Sequence, residues 1–398
     1  MSKMDALADA CWEEVQEHWH WLHAHPELSG EEKETAAYIA AALRKMGLVP
    51  QENVGGYGVV ALIEGASPGK CVGLRADFDA LPIQECTGLP FASEKPGVMH
   101  ACGHDAHTAM LLGVARMLLQ LRDQFSGSVK LIFQPSEEAH ATSGAKSMVA
   151  EGVLQDPKVD AVIGQHVDSG LSTGEIGVRP GPMTAASDRF TITVRGRGCH
   201  ACRPDKGVDA VLIGAQVITA LQSIISRTVS PFDNSVLTIG TVHAGTRVNV
   251  VAETCTMEGT CRNLDLNVRD AVAKRIEQIV KGVAEGMGGE YSFSYVKGYP
   301  PVINDPDLCE LFVRTAEGTL GKEHVHINKT AEMGGEDFSY YSEKVPSLYY
   351  HLGCIKPGMP RWGVHNSRFA PDAEALKVGV RVMTASALAF LGNAPADG

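Results

Sequence analysis

Residues 187 to 299 break the rhythm of the chain on either side of them. The order there is strand RFTITVRGRG, helix DAVLIGAQVITALQSII, strands SVLTIGTVHAG and TCTMEGTCRNL, helix VRDAVAKRIEQIVKGVAEGM and strand EYSFSYVKGY. That is β-α-β-β-α-β, a split-βαβ unit. Such a unit can close its own sheet and core, so a chain that contains one whole must carry it as a separate domain. A Gly/Pro/Ser-rich passage, GVRPGPMTAAS (177–187), leads into it, and α/β alternation resumes after it with DLCELFVRTAEGTL and SLYYHLG. We therefore expect an inserted domain over 187–299 and an outer domain made of 1–186 and 300–398.

The outer segments read as α/β. EKETAAYIAAALRKMGL (32–48) repeats its apolar residues at helical spacing, and Gly47 can close its end. KCVGLRADFDALP (70–82), GSVKLIFQPSEE (127–138) and VDAVIGQHV (159–167) are short apolar strands that end in polar residues. In sheets of this kind ligands bind beyond the carboxyl ends of the strands, where Asp77, Asp79, Glu137, Glu138 and His166 would emerge, His166 terminating its strand.

Composition removes several classes of function. With a formal net charge of -12, the chain lacks the basic surface a sequence-independent nucleic-acid binder needs to displace counterions. The N-terminal stretch mixes acids and histidines through its apolar positions, unlike a signal peptide. We see no run of about 18 apolar residues, so no membrane span is expected. Ten cysteines over 398 residues are too sparse for a disulfide framework. These features point to a cytoplasmic protein with a small-molecule substrate.

The decamer MHACGHDAHT (99–108) carries the chemistry. Thiolate, imidazole and carboxylate are the usual ligands for metal chemistry near neutral pH, and Cys102 and His104 stand one residue apart just before a helical stretch. Glu137 and Glu138 follow a strand and Pro135. In extended backbone their side chains point to opposite sides, so one can bind metal while the other faces an attacking water. His166 and His365, the latter in WGVHNSRF, complete a set able to hold two ions sharing a water.

These segments resemble the co-catalytic metallopeptidase and amidohydrolase family of hippurate hydrolase, indole-acetyl amino acid hydrolases and N-acyl amino acid deacetylases, with carboxypeptidase G more distant. The resemblance runs over nearly the whole chain through HAHPELSGEE, LRADFDALPI, MHACGHDAHTAMLLG, FQPSEE, GQHV, GRGCHACRP, AGTRVNVVAE, GGEDFSYY and HNSRF. It implies a zinc-peptidase-like catalytic domain with a mixed sheet flanked by helices, and an inserted ferredoxin-like domain that acts as lid and dimer contact. It also implies a homodimer with two divalent ions per subunit, of Zn, Mn, Co or Ni. Cys102, His104, Glu138, His166 and His365 would be the ligands and Glu137 the general base. His200 would polarise the scissile carbonyl from the inserted domain, Asn249 and Arg262 would grip the substrate carboxylate, and Asp79 would stand behind the ligands. Two positions depart from the family pattern. Distant branches have a histidine where this chain has Asp77, which aligns it with the cysteine-containing branch, and Gly198-Cys199 replaces a frequent glycine pair before His200.

The implied reaction is hydrolysis of N-acyl (acetyl, benzoyl or aryl-acetyl) amino acids, with a carboxypeptidase or dipeptidase as the alternative. A non-catalytic metal-binding protein would not need Glu137 beside Glu138. A thiol-redox protein would rest on CHAC (199–202), which lacks a thioredoxin-like setting. HWHWLHAH (18–25), a possible metal tract, has the spacing of a packed helix through Trp19 and Trp21.

Overall fold

The computed structural model describes residues 3–139 and 142–392. Two compact units emerge, one of residues 1–183, 303–330 and 337–398, the other of 184–302 and 331–336. The segment 331–336 therefore packs with the second unit instead of the outer domain expected for it. The Ala185 N–H donates to the Gly334 carbonyl at 3.0 Å, which draws this segment in.

The first unit is built on an eight-stranded mixed sheet in the order β1-β2-β4-β3-β5-β16-β6-β15. Its strands are β1 (Gln51–Val54), β2 (Gly58–Glu64), β3 (Ser67–Asp77), β4 (Ser126–Gln134), β5 (Ala161–Ser172), β6 (Ile176–Val178), β15 (Val325–Ile327) and β16 (Ser347–Ile355). A short pair, β7 (Gly181–Pro182) and β14 (Ile303–Asn304), lies beside it. β3 runs parallel to both β4 and β5, and β5 parallel to β16. The central strands are therefore buried on both faces, and their apolar runs are nearly continuous. The helices are α1 (Lys3–Ala24), α2 (Lys33–Lys45), α3 (His104–Leu121), α4 (Gly144–Ala150), α7 (Pro306–Leu320), α8 (Ser339–Ser342) and α9 (Ala373–Phe390). From His104 to Ala115 every residue of α3 is buried, because the helix meets β3 as well as α1 and α9. Burial of its Met110, Leu111, Leu112 and Leu118 contributes roughly 1.5–3 kcal/mol each. His18, Trp19 and His23 of HWHWLHAH are buried on α1. The His23 Nδ1 bonds Asp105 Oδ2 at 2.7 Å.

His166 does not end its strand. β5 continues to Ser172 because β16 keeps pairing with it, up to Ile355 opposite Ser172. The apolar alternation stops at Val167, and the sequence shows only that.

The second unit holds β8 (Ala186–Arg195), β9 (Cys199–His200), α5 (Ala210–Ser223), β10 (Ser235–Ala244), β11 (Val250–Val251), β12 (Thr254–Asn263), α6 (Leu266–Gly286) and β13 (Glu290–Val296). The main strands form one antiparallel sheet in the order β10-β12-β8-β13. Asp209 and Asp265 cap the two helices through their carboxylates. Ile213, Val217 and Leu221 of α5 and Val272, Ile276 and Val280 of α6 fill one core with Phe190, Ile192 and Val194 of β8.

One helix comes near the apolar length expected of a membrane span, as the core helix of a folded domain also can. Ala210–Thr228 has a mean hydropathy of 1.4, and by length and composition it could cross. One face of it lies in the core just described, while Val211 and Leu212 on another are 47% and 50% exposed.

Candidate metal and catalytic site

Gly103 separates two of the expected ligands and has φ +83°, and a Cβ there would lie 2.4 Å from Val167 Cγ2. Only glycine fits both demands, and it turns the chain so that Cys102 and His104 face the same way. His104 opens α3. Its Nδ1 lies 3.0 Å from both the Asp79 carbonyl and Asp79 Oδ1, which can only accept, so Nδ1 carries the hydrogen. In the neutral ring its Nε2 then keeps a lone pair. That atom is buried, has no hydrogen-bond partner among the described residues, and stands 3.7 Å from Asp77 Oδ2.

His166 is oriented in the same manner. Its Nδ1 donates to the Val167 carbonyl at 2.8 Å, and its Nε2 lies 3.4 Å from Cys102 Sγ. His365 has φ 63°, a left-handed conformation that costs about 1–3 kcal/mol in a side chain of this kind, and its N–H donates to the Ala101 carbonyl at 2.7 Å. That geometry puts its Nε2 2.9 Å from Glu138 Oε1.

Donor atoms of Cys102, His104 and His166 all lie within 4.8 Å of one another, as do those of Cys102, Glu138 and His365. A third group of the same tightness joins His104 to Glu137 and Glu138. The expected ligands thus form two triads that share Cys102. Sulfur, imidazole and carboxylate donors with a buried imidazole lone pair fit a pair of borderline divalent cations.

Glu137 and Glu138 depart from the expected geometry. Ser136 has φ 54°, so the two acids follow a bend and not extended backbone. Glu32 Oε1 fixes the bend by accepting from the Ser136 N–H at 2.8 Å and from its Oγ at 2.9 Å. Both carboxylates therefore converge on His104 instead of pointing to opposite sides. Asp79 stands behind them, accepting from the Glu138 N–H at 2.9 Å and the Ser29 hydroxyl at 2.7 Å.

Burial and neighbouring charges shift the groups of the cluster in both directions. Burial opposes charge on His104, but the carboxylate of Asp77 and the Cys102 sulfur hold its imidazole well above the usual range. Bonds to Cys102 and Glu138 raise His365 to about 10. Burial pushes the Cys102 thiol up. It also drives His166 well below the usual range, helped by the neighbouring His107.

The sequence reading missed Arg75, His107, Gln134 and Ser143, which form a buried polar layer next to these residues. A signal for Arg75 was present, since an arginine inside an apolar strand must find a buried partner.

In the second unit, His200 and Asn249 line one cavity of about 830 Å³ together with Cys199, His243 and Glu253. The Cys202 N–H donates to His200 Nδ1 at 3.2 Å, so the neutral ring carries its hydrogen on Nε2 as a free donor. Arg262 does not join them. It lies six residues along β12 from Thr256, a cavity residue, which is about 20 Å of strand. There it donates to Ser187 Oγ at 2.5 Å. Cys199 and Cys202 are both free thiols.

The profile of Peptidase family M20/M25/M40 matches residues 73–389. The chain belongs to that family. It is 47% identical over 283 residues to the N-acyl-L-amino acid amidohydrolase of Geobacillus stearothermophilus, covering 71% of this chain and 76% of that one. It is 41% identical over 361 residues to the N-acetylcysteine deacetylase of Bacillus subtilis, covering 90% and 91%. Among solved structures, the YXEP protein of Bacillus subtilis, described as a dinuclear metal-binding peptidase of the M20 family, superposes with a TM-score of 0.83 at 35% identity, covering 97% of this chain and 99% of that one. This M20 protein is a hydrolase with the family's α/β fold.

Proposed function

We propose that this protein hydrolyses the amide bond of N-acyl amino acids, with two divalent cations of the Zn, Mn, Co or Ni type held by Cys102, His104, Glu138, His166 and His365. The observation that carries the reading is the pair of triads sharing Cys102, with a second carboxylate, Glu137, brought to the same place. The amidohydrolase and deacetylase named among the relatives act on N-acyl amino acids by their names, and YXEP is described as dinuclear.

When bound, the cations acidify a water and polarise the scissile carbonyl. Glu137 accepts a proton from the attacking water and gives it to the departing nitrogen, so that the C–N bond breaks to a carboxylic acid and a free amino acid. His200 donates its Nε2 hydrogen to the carbonyl oxygen, where loss of one such donor costs about two to three powers of ten. Asn249 and Arg262 hold the substrate carboxylate. Arg262 lies outside the cavity that His200 and Asn249 share, which supports a homodimer in which His200 and Asn249 serve the partner's site. The exposed apolar residues Val236 and Val242 on the edge strand β10, with Val211 and Leu212 on α5, supply a surface for such a contact. Ten free thiols support a reducing, cytoplasmic setting.

The test is an assay of the purified protein with each metal in turn against N-acetyl, N-benzoyl and indole-acetyl amino acids and a set of dipeptides. Release of free amino acid from the N-acyl series is the expected result. Turnover of dipeptides alone would overturn the substrate class.

A further inference from the structure

Arg75, on β3, is completely buried beside two carboxylates. Its NH1 donates to Asp77 Oδ2 at 2.6 Å, its NH2 to Asp337 Oδ1 at 2.9 Å and its Nε to Gln134 Oε1 at 2.8 Å. Each carboxylate reaches a different side of the catalytic cluster.

Asp337 is held by many donors. Gln134 Nε2 reaches its two oxygens at 2.8 and 3.0 Å, the Ser143 hydroxyl donates at 2.8 Å and the Ala145 N–H at 3.1 Å. A carboxylate gripped in this way fixes its own backbone, and the Asp337 N–H points at Glu137 Oε1 over 3.4 Å. Asp77 works in the other direction. It takes a hydrogen from His107 Nδ1 at 2.6 Å, which leaves His107 Nε2 to accept the Val167 N–H at 2.9 Å. Val167 follows His166 on β5, and its carbonyl is the acceptor that orients the His166 ring. Asp77, His104 and His107 also lie close enough to resemble a metal triad. Both nitrogens of His107 are engaged in these bonds, so this group is a brace and not a third ion site.

We infer that Arg75 is a positioning residue that sets both sides of the site from one buried charge: through Asp337 it places the proton acceptor Glu137, and through Asp77 and His107 it places His166. The inference rests on Glu137 acting as general base. Arginine suits the task because its planar fork reaches three acceptors at fixed angles. A lysine would keep the charge and lose the fork.

The experiment compares Arg75→Lys with Ser143→Ala, which removes one donor to Asp337 together with the α4 cap that Ser143 Oγ makes by accepting from the Lys146 N–H at 3.1 Å. Turnover is measured per metal-loaded chain at saturating metal, well below the unfolding temperature, and metal affinity is measured separately by chelator competition on the apo protein. For Arg75→Lys, kcat falls about 10- to 100-fold with KM within about twofold of wild type, and zinc affinity falls about tenfold. For Ser143→Ala, kcat falls up to about tenfold while KM and zinc affinity stay at wild type. A residue that only stabilises the fold lowers the unfolding temperature and leaves kcat per loaded chain unchanged. Unchanged kcat in either variant, or unchanged zinc affinity in Arg75→Lys, overturns the proposal. If Arg75→Lys does not fold, Ser143→Ala tests the Asp337 side through kcat and His107→Gln tests the His166 side through zinc affinity, and a wild-type value in either overturns the proposal. Full activity in Glu137→Gln would instead remove the general-base reading beneath it, so the two failures are distinct.

Discussion

Glu137 and Glu138 are identical side chains on adjacent residues, and only their surroundings separate their roles. Glu138 is tied at both ends, its N–H to Asp79 Oδ2 and its Oε1 to His365 Nε2 at 2.9 Å each, as a ligand's carboxylate should be. Glu137 faces the N–H of Asp337 over a longer 3.4 Å, and in the proposed mechanism it is the proton acceptor. Glu137→Gln should therefore abolish turnover and keep both metal ions, because an amide cannot take the proton while Glu138 still coordinates. Metal content by elemental analysis checks this, and loss of metal together with activity would show the two glutamates assigned in reverse. At this scale the cluster of candidate ligands was legible because its chemistry is unusual: Cys102 and His104 stand close together in a segment no core requires. Arg75 was not, since what ties it to the site is Asp337, 262 residues away. A lone arginine in a strand does not name its partner.

Elements were legible where one face meets the core and the other meets water. α2, α5, α6 and β12 announce themselves in this way, and the expected ranges match to within a few residues. Packing between elements is another matter. Gly113 in α3 is ordinary in the sequence, yet a Cβ there would come within 2.6 Å of Val15 Cγ2 on α1 and 3.0 Å of Val380 Cγ2 on α9. Three helices meet over a missing side chain. Gly113→Ala gains up to about 1 kcal/mol of helix propensity, but overpacking a closed contact costs about 1–3 kcal/mol, so we expect net destabilisation. Gly282, inside α6, has nothing within 4 Å of the same built atom. There the same replacement should stabilise by about 0.5–1 kcal/mol. Urea unfolding midpoints read both, and a stabilised Gly113→Ala would mean the three helices can move apart at little cost.

The β-α-β-β-α-β order was legible across the whole molecule because its six elements are contiguous and each carries its own period. What no period reports is which copy of the chain each residue serves. Asn249 and Arg262 look like partners in the sequence, yet Asn249 lines the cavity with His200 while Arg262 lies about 20 Å along β12 from Thr256, a residue of that cavity. If His200 and Asn249 act on the partner, chains carrying Glu137→Gln and chains carrying His200→Ala, each nearly inactive alone, should complement one another. In a mixed dimer one site then combines both lesions, while the other sets an intact Glu137 against an intact His200. Random pairing into two-chain dimers makes half of them mixed, so activity should return to about a quarter of wild type after co-refolding. If His200 acts within its own chain, every site in the mixture carries a lesion and nothing returns. Native mass spectrometry showing mixed dimers without recovered activity would rule out the exchange between copies.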